Sequence, residues 1–505
     1  MGGISPVGGK DSQYPLGDGF GLHAVPPRRV HPTPIAPHFS SRHTGRRHMR
    51  FIPAPAPCLV AGVLLLVLTN VFALLSAPRI YDWDEARHGV TAYEMIERGD
   101  FLTNTYMGEP DYWNAKPPLS FYPIIAGYKL FGFNSLGLRF FSGVFATALL
   151  CLVLVHTARV QGTASGMLAV LMLATGKNFI FRHNARTGDP DALFLLLYVV
   201  SVLLVLQKTR SPYRFYIASV LASFAFLTKS FHAAPLVVTL AIFFFLDVGV
   251  SARSLKHAIG CLLAGLLPTS LWGWLRYRVD GTAFFKKMVG YDLLKRSSQA
   301  IEGHQADLFF YFQNVLIEFR FWMILAGVLL AASAYFARRA GARNGSYLPE
   351  GIARPFFLRL AIAAAVPMFL FTAAASKLTW YTYPSYPFLC MMLGTLTAQC
   401  IVALWHTGGV HAARIAAFGI VAVLAVAEAN MLRQTAKAAR DQDEVQQQII
   451  RLGEVPDNRG ACLSLRGTGW TQGRVLAAKL YGDFTPLTGK AATTCERTLY
   501  LDMSE

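Results

Sequence analysis

Asp82-Trp83-Asp84-Glu85-Ala86-Arg87-His88 opens, and Asn114-Ala115-Lys116-Pro117-Pro118-Leu119 closes, a polar loop that follows directly on the first long hydrophobic run of the chain. Carboxylates, arginine and lysine at the mouth of a membrane bundle are costly to keep there. They mark chemistry or transport more often than packing. The loop therefore reads as the business end of a polytopic α-helical membrane protein, and the rest of the chain is consistent with that reading.

Of 505 residues, 53% are hydrophobic and only 15% are charged, against about 25% charged in soluble chains. The net charge of +18 does not gather into a basic domain. Its lysines and arginines punctuate hydrophobic runs, which is the pattern of membrane loops and not of a nucleic-acid-binding surface. Runs of roughly 17–22 residues suffice to cross a bilayer. About eleven such runs (11–13 allowing for doubtful segments) lie near 57–77, 138–157, 163–181, 190–207, 213–228, 233–250, 258–276, 321–337, 357–375, 382–404 and 412–432. The stretch 119–132 is too short, and too marked by Pro123 and Lys129, to span; it reads as an interfacial or re-entrant helix.

Charge bias sets the orientation. With the N-terminal side in the cytoplasm, the short loops on that side hold His156 and Arg159, Lys208 to Arg214, Arg253 and Lys256, Arg338 to Arg354, and Arg414. The loops 78–137 and 277–320 and the C-terminal region then face outward. Residues 1–56 are rich in Gly, Pro, His, Ser and Arg and read as a disordered tail, not a signal peptide. Met1 and Met49 are both open as the start. Residues 433–505 read as a small outward α/β cap, with strands at 461–465 and 499–503 and a helix at 474–480. Cys462 and Cys495 lie in it, either bridged if it faces an oxidising compartment or as two free thiols. The other five cysteines lie in hydrophobic runs as small apolar fillers.

In the first loop, Asp82 or Asp84 can cap a helix that Gly99 ends. Ala86, Val90, Tyr93 and Ile96 give it an apolar stripe. Asp84, Arg87 and His88 share its other face. The plainer alternative is an N-cap and a surface ion pair. Two prolines after Lys116 hold the backbone extended and pin a cation that suits a phosphate. A second acidic site follows in Arg182-His183-Asn184-Ala185-Arg186-Thr187-Gly188-Asp189-Pro190-Asp191. Lys229, Lys377 and the loop 286–311, with Tyr291, Lys295, Arg296 and His304, fall on the same side. A lysine at the end of a span is ordinarily an interface anchor; the convergence of the set is what carries information.

The ordered set of motifs resembles the ArnT-like transferases of the GT-C superfamily, which also holds the protein O-mannosyltransferases. It comprises the first loop, Asp-Pro-Asp at 189–191, Leu-Thr-Lys-Ser at 227–230 and Ser-Lys-Leu-Thr-Trp-Tyr-Thr-Tyr-Pro-Ser-Tyr-Pro at 376–387. The resemblance covers 57–432. It implies a GT-C fold and a membrane glycosyltransferase that takes a sugar from a polyprenyl-phosphate carrier. In the named member, 4-amino-4-deoxy-L-arabinose passes from undecaprenyl phosphate to lipid A. It further implies a bacterial inner-membrane protein with its site on the periplasmic face. By the motif match, Asp84 with Glu85, Asp189 and Asp191 form the catalytic set. Arg87 and Lys116 hold the carrier phosphate, and Tyr112, Arg186, Lys229, Lys377, Tyr381 and His304 complete the substrate site. The family often has an acid just before Lys-Pro-Pro, where this chain has Ala115. A divalent metal is therefore left unassigned.

Departure of a polyprenyl phosphate builds negative charge that fixed cations stabilise in a water-poor site. An acceptor hydroxyl needs a base such as Asp84; an acceptor phosphate does not. The soluble segments are too small for a nucleotide-sugar domain, and no Gly-rich phosphate fingerprint follows a strand. The alternatives are a mannosyltransferase-like enzyme acting on protein or another lipid, a lipid-linked sugar flippase, and a non-catalytic scaffold. The flippase should hold its site at mid-membrane, and the scaffold needs no such motifs.

Overall fold

The computed structural model describes residues 57–209, 211–301, 303–340, 354–488 and 495–503. The expected tail, 1–56, lies outside them. Helix α1 (Pro57–Phe72) leads into the first loop, which carries α2 (Asp84–Arg98), a two-residue hairpin of β1 (Thr105–Tyr106) and β2 (Glu109–Pro110), and α3 (Tyr122–Phe131). Then come α4 (Ser135–Gln161), α5 (Thr163–Ala174), the short α6 (Lys177–Phe181), α7 (Asp191–Leu206), α8 (Tyr213–Lys229), α9 (Ala234–Val248) and α10 (Ala252–Asp280). The second long loop holds α11 (Ala283–Lys287), a π-helical stretch Met288–Lys295 and α12 (Arg296–Ser298). Helices α13 (Phe310–Arg339), α14 (Arg354–Ala373) and α15 (Tyr386–Arg440) complete the bundle. Gly409, with φ of 78°, breaks α15 in two; a residue with a Cβ is strained there.

The hydrophobic runs read from the sequence fall on these helices, with 163–181 divided between α5 and α6 and 382–404 beginning in a 3-10 turn, Thr379–Ser385, ahead of α15. Among the described residues, seven helical stretches are long and apolar enough to cross a membrane by length and composition. That is fewer than the eleven runs for two reasons. Helices α1, α5 and α7 stop at 16, 12 and 16 residues, and α8 and α9 are joined through a single short turn into one stretch, Tyr213–Val248. The protein is an integral membrane protein whose apolar helices pack about a core built from α1, α4, α5, α7, α8, α9 and α15. The 119–132 segment is the ten-residue α3, too short to span.

The C-terminal region adds α16 (Glu444–Glu454), β3 (Cys462–Arg466), α17 (Gln472–Gly482), β4 (Thr485–Pro486) and β5 (Thr498–Asp502). The three strands form a parallel sheet with β3 in the centre. Cys462 and Cys495 are bonded, with Cα atoms 5.9 Å apart. This unit does not make a core alone. Val475, Leu476, Leu463 and Ile449 pack with Ala86, Val90 and Tyr93 of α2 and with Ile124 and Tyr128 of α3 in one shared cluster. The stripe that shapes α2 therefore faces the cap.

Candidate active site

Asp84 begins α2 at the mouth of the bundle with its side chain 37% exposed. Position N1 of a helix favours a carboxylate through the helix dipole. The N-cap is Trp83, with a positive φ of 68° and no side-chain cap. Asp82, expected as a possible cap of α2, instead accepts the Gly473 N–H (2.7 Å) at the start of α17. Gly99 does end α2, in the αL conformation.

His183 faces Asp84. Its Nδ1 lies 3.1 Å from Asp189 Oδ1 and 3.7 Å from Asp84 Oδ2. The ring is stacked on Trp380 at 3.7 Å between centroids, a favourable seat for an imidazolium. Its backbone has φ of 52°, an uncommon conformation that tends to be kept at functional sites. Burial works against the charged ring, but the adjoining Asp189 carboxylate outweighs it, with Asp84 and Asp191 adding, and the His183 pKa is raised to about 9. Burial likewise opposes the Asp189 charge, yet the His183 charge and hydrogen bond hold it below the usual carboxylate range. The protonated ring thus bridges the two acids. By donor type, one imidazole and two carboxylates with ligand atoms within 4.8 Å of one another would suit a divalent cation, which would have to replace that proton.

Beside this cluster, Asp191 at the start of α7 pairs with Lys229 at the end of α8, both buried. The next turn brings His232, whose ring meets that of Tyr381 edge-on at 4.5 Å and lies within electrostatic reach of Lys229, Lys116 and Arg296. Tyr381 OH accepts from Arg296 (3.1 Å). Asp292, on the π-helical stretch, joins Arg296 (3.6 Å) and Lys116 (3.4 Å). Lys116 and Arg296 are thus cations gathered about one carboxylate, and Tyr381, bonded to Arg296, is within electrostatic reach of Asp292 and Asp84.

Several expected residues lie elsewhere. Glu85, expected beside Asp84 as a reacting acid, is 2% exposed and bound to Arg139 through two contacts of 2.7 and 2.9 Å. It also accepts the Tyr81 and Gly188 N–H groups. Arg139 spends its remaining N–H donors on Leu75, Pro78 and Arg79 carbonyls, so this buried pair ties three segments together. Arg186 donates to the Asn70, Val71 and Ala73 carbonyls at the end of α1; burial lowers its pKa to about 10. Arg87, expected on the carrier phosphate, pairs with Asp111 (2.6 Å) and lies between the Tyr106 and Trp113 rings. His88 is buried with its Nδ1 on the Asp84 carbonyl, so the shared face of Asp84, Arg87 and His88 does not form one site. Tyr112 lies near Asp280 and Arg276. Lys377 Nζ donates to the Ala374 carbonyl (2.9 Å), and its backbone N–H to that of His304.

His183, Trp380, Asp292 and His232 were not expected as site residues. Of these, His183 had a visible signal, an imidazole between two arginines and two aspartates in one short loop. Asp292 and Trp380 reach the site only through tertiary folding.

Residues 115–274 match the family model for dolichyl-phosphate-mannose-protein mannosyltransferase. A protein of Aquifex aeolicus is 28% identical over 256 residues, 50% of this chain and 49% of that one. The undecaprenyl phosphate-alpha-4-amino-4-deoxy-L-arabinose arabinosyl transferase of Serratia proteamaculans is 22% identical over 382 residues, 72% of this chain and 65% of that one. The chain thus spans about half to two thirds of the length of these curated relatives. The crystal structure of ArnT from Cupriavidus metallidurans bound to undecaprenyl phosphate superposes with a TM-score of 0.63 at 17% identity, covering 84% of this chain and 85% of that one. In fold, the chain is similar to ArnT from Cupriavidus metallidurans.

Proposed function

We propose that the protein transfers a sugar from a polyprenyl-phosphate carrier to an acceptor on the outer side of a bacterial inner membrane. The specific reading is 4-amino-4-deoxy-L-arabinose from undecaprenyl phosphate to lipid A. The observation that carries it is the adjacency of two sets of groups: Asp84, His183 and Asp189 on one side, and Lys116, Arg296 and Tyr381 on the other. The cations suit the carrier phosphate, which leaves with the electron pair of the anomeric C–O bond as the acceptor oxygen bonds to that carbon. They and the tyrosine hydroxyl stabilise the charge gathered on the leaving oxygens. A hydroxyl acceptor would give its proton to Asp84; a phosphate acceptor has none to lose, and Asp84 then orients the sugar. A divalent cation held by Asp84, His183 and Asp189 would supply further neutralisation of that charge.

The name of the Serratia relative and the ligand in the Cupriavidus structure support the carrier and sugar. The family model matched over 115–274 favours a second reading, a mannosyltransferase-like enzyme acting on protein or another lipid. Mass spectrometry of lipid A from cells with the gene, without it, and carrying Asp84→Asn separates the two. Loss of an aminopentose increment in both the deletion and the variant is expected. Unchanged lipid A sends the acceptor to protein or another glycan.

A further inference from the structure

A cavity of about 220 Å³ lies between α6, α13 and the second half of α15. Two exposed cations stand at its rim, Lys177 at the first position of α6 and Arg320 of α13. Lys177 lies within electrostatic reach of the Glu318 carboxylate, and the Arg320 guanidinium lies over the Phe321 ring at 4.7 Å. Glu318 also reaches the cavity, but its oxygens take the Asn178 side-chain N–H (2.9 Å) and the Phe179 backbone N–H (3.0 Å). It serves the start of α6 and offsets part of the Lys177 charge, which leaves two cations against one carboxylate around the hollow. The amide of Asn430 adds a neutral polar group to the wall. Along α13, Ile317, Phe321, Ile324 and Val328 recur at helical spacing on the exposed face and form an apolar track running from the cavity down the bilayer side.

We infer that this cavity binds the phosphate headgroup of a membrane lipid, with an acyl chain lying on the α13 track. A basic hollow between helices at the head of an apolar surface has the chemistry such a lipid presents. A cation that merely snorkels needs water around it and no enclosed volume. The site uses neither Lys116 nor Arg296, so it stands whatever reaction occurs at Asp84. It also has a route to that centre. The Asn178 carbonyl accepts from Arg182 N–H (2.9 Å) and Tyr383 OH (2.7 Å), and His183 follows directly.

The test is native mass spectrometry of the full-length detergent-solubilised protein with phosphatidic acid, phosphatidylcholine or inorganic phosphate. The wild type should retain phosphatidic acid in preference to phosphatidylcholine. Lys177→Ala/Arg320→Ala should lower that retention about tenfold, as the loss of a charge-assisted contact implies. Lys177→Arg/Arg320→Lys, which keeps both charges, should restore it. Equal retention in the alanine pair overturns the proposal. So does displacement of the lipid by inorganic phosphate at equal concentration, which makes the hollow a site for a soluble anion.

Discussion

Asp84 and Glu85 are neighbours in sequence with opposite environments, and that difference separates chemistry from architecture. Asp84 is over a third exposed, whereas Glu85 is buried on Arg139. Asp84→Asn should lower turnover by about 10²-fold or more, the usual loss of a positioned acid–base or orienting group, with the melting temperature nearly unchanged. Glu85→Gln leaves a buried guanidinium without its counter-ion and should cost about 3–5 kcal/mol in stability, read as a fall in melting temperature before any kinetic measurement. Equal melting temperatures for the two variants would reverse the assignment. His183 makes a third prediction. Its folded pKa, about 9, is above the ordinary 6.5, so the stabilisation it gives by bridging Asp84 and Asp189 is fully present below pH 6.5. It declines as pH rises through 9. The effect is on the order of 1–3 kcal/mol. Thermal melts from pH 6 to 10 with a chelator present should show that decline in the wild type and its absence in His183→Gln.

Helix α2 is held from above by the cap as much as from below by the bundle. The Gln446 side-chain amide pairs with both backbone groups of Ile80 (3.0 and 2.9 Å). Asp82 caps α17 through Gly473, Lys479 meets Glu94 (3.1 Å), and Tyr93 OH donates to Asp483. These contacts all act on the segment that presents Asp84. A Cβ on Gly473 would lie 2.6 Å from the Ile80 carbonyl oxygen, and backbone cannot yield as a side-chain tip can. Gly473→Ala should therefore lift α17 off Ile80 and lower turnover, although the residue is remote from the Lys116–Arg296 donors. Unchanged turnover would show that the cap holds α2 only loosely. Sequence pattern predicted α2, its apolar stripe, its glycine stop, the cap strands and the helix near 474–480, because each is a local periodicity. It did not predict that stripe and cap face each other, nor that Glu85 is spoken for by Arg139. Those depend on partners dozens to hundreds of residues away. Arg87 shows the same limit. A cation at the right spacing beside Asp84 reads as a phosphate ligand until Asp111 and two rings enclose it.

Across the whole molecule, the shared core of α2, α3 and the cap fixes which segments lie together. The first loop and the C-terminal region must occupy one side of the membrane, however many of the helices cross it. In the proposed orientation that side faces outward, as expected from opposite loops that carry Lys208, Arg214, Arg253 and Lys256. Single cysteines at exposed positions read this out. In a Cys58→Ser background, which removes the exposed native thiol, Glu109→Cys in β2 and Asp457→Cys in the cap should react with an impermeant maleimide in intact cells whose outer membrane is permeabilised. Lys256→Cys at the start of α10 should react only after lysis. The reverse pattern would put Asp84 and its partners in the cytoplasm, away from an outward acceptor, and would remove the basis for a lipid A reaction. Labelling of Glu109→Cys and Asp457→Cys from opposite sides is incompatible with the Asp82–Gly473 and Gln446–Ile80 contacts, since no bilayer can lie between residues that share hydrogen bonds.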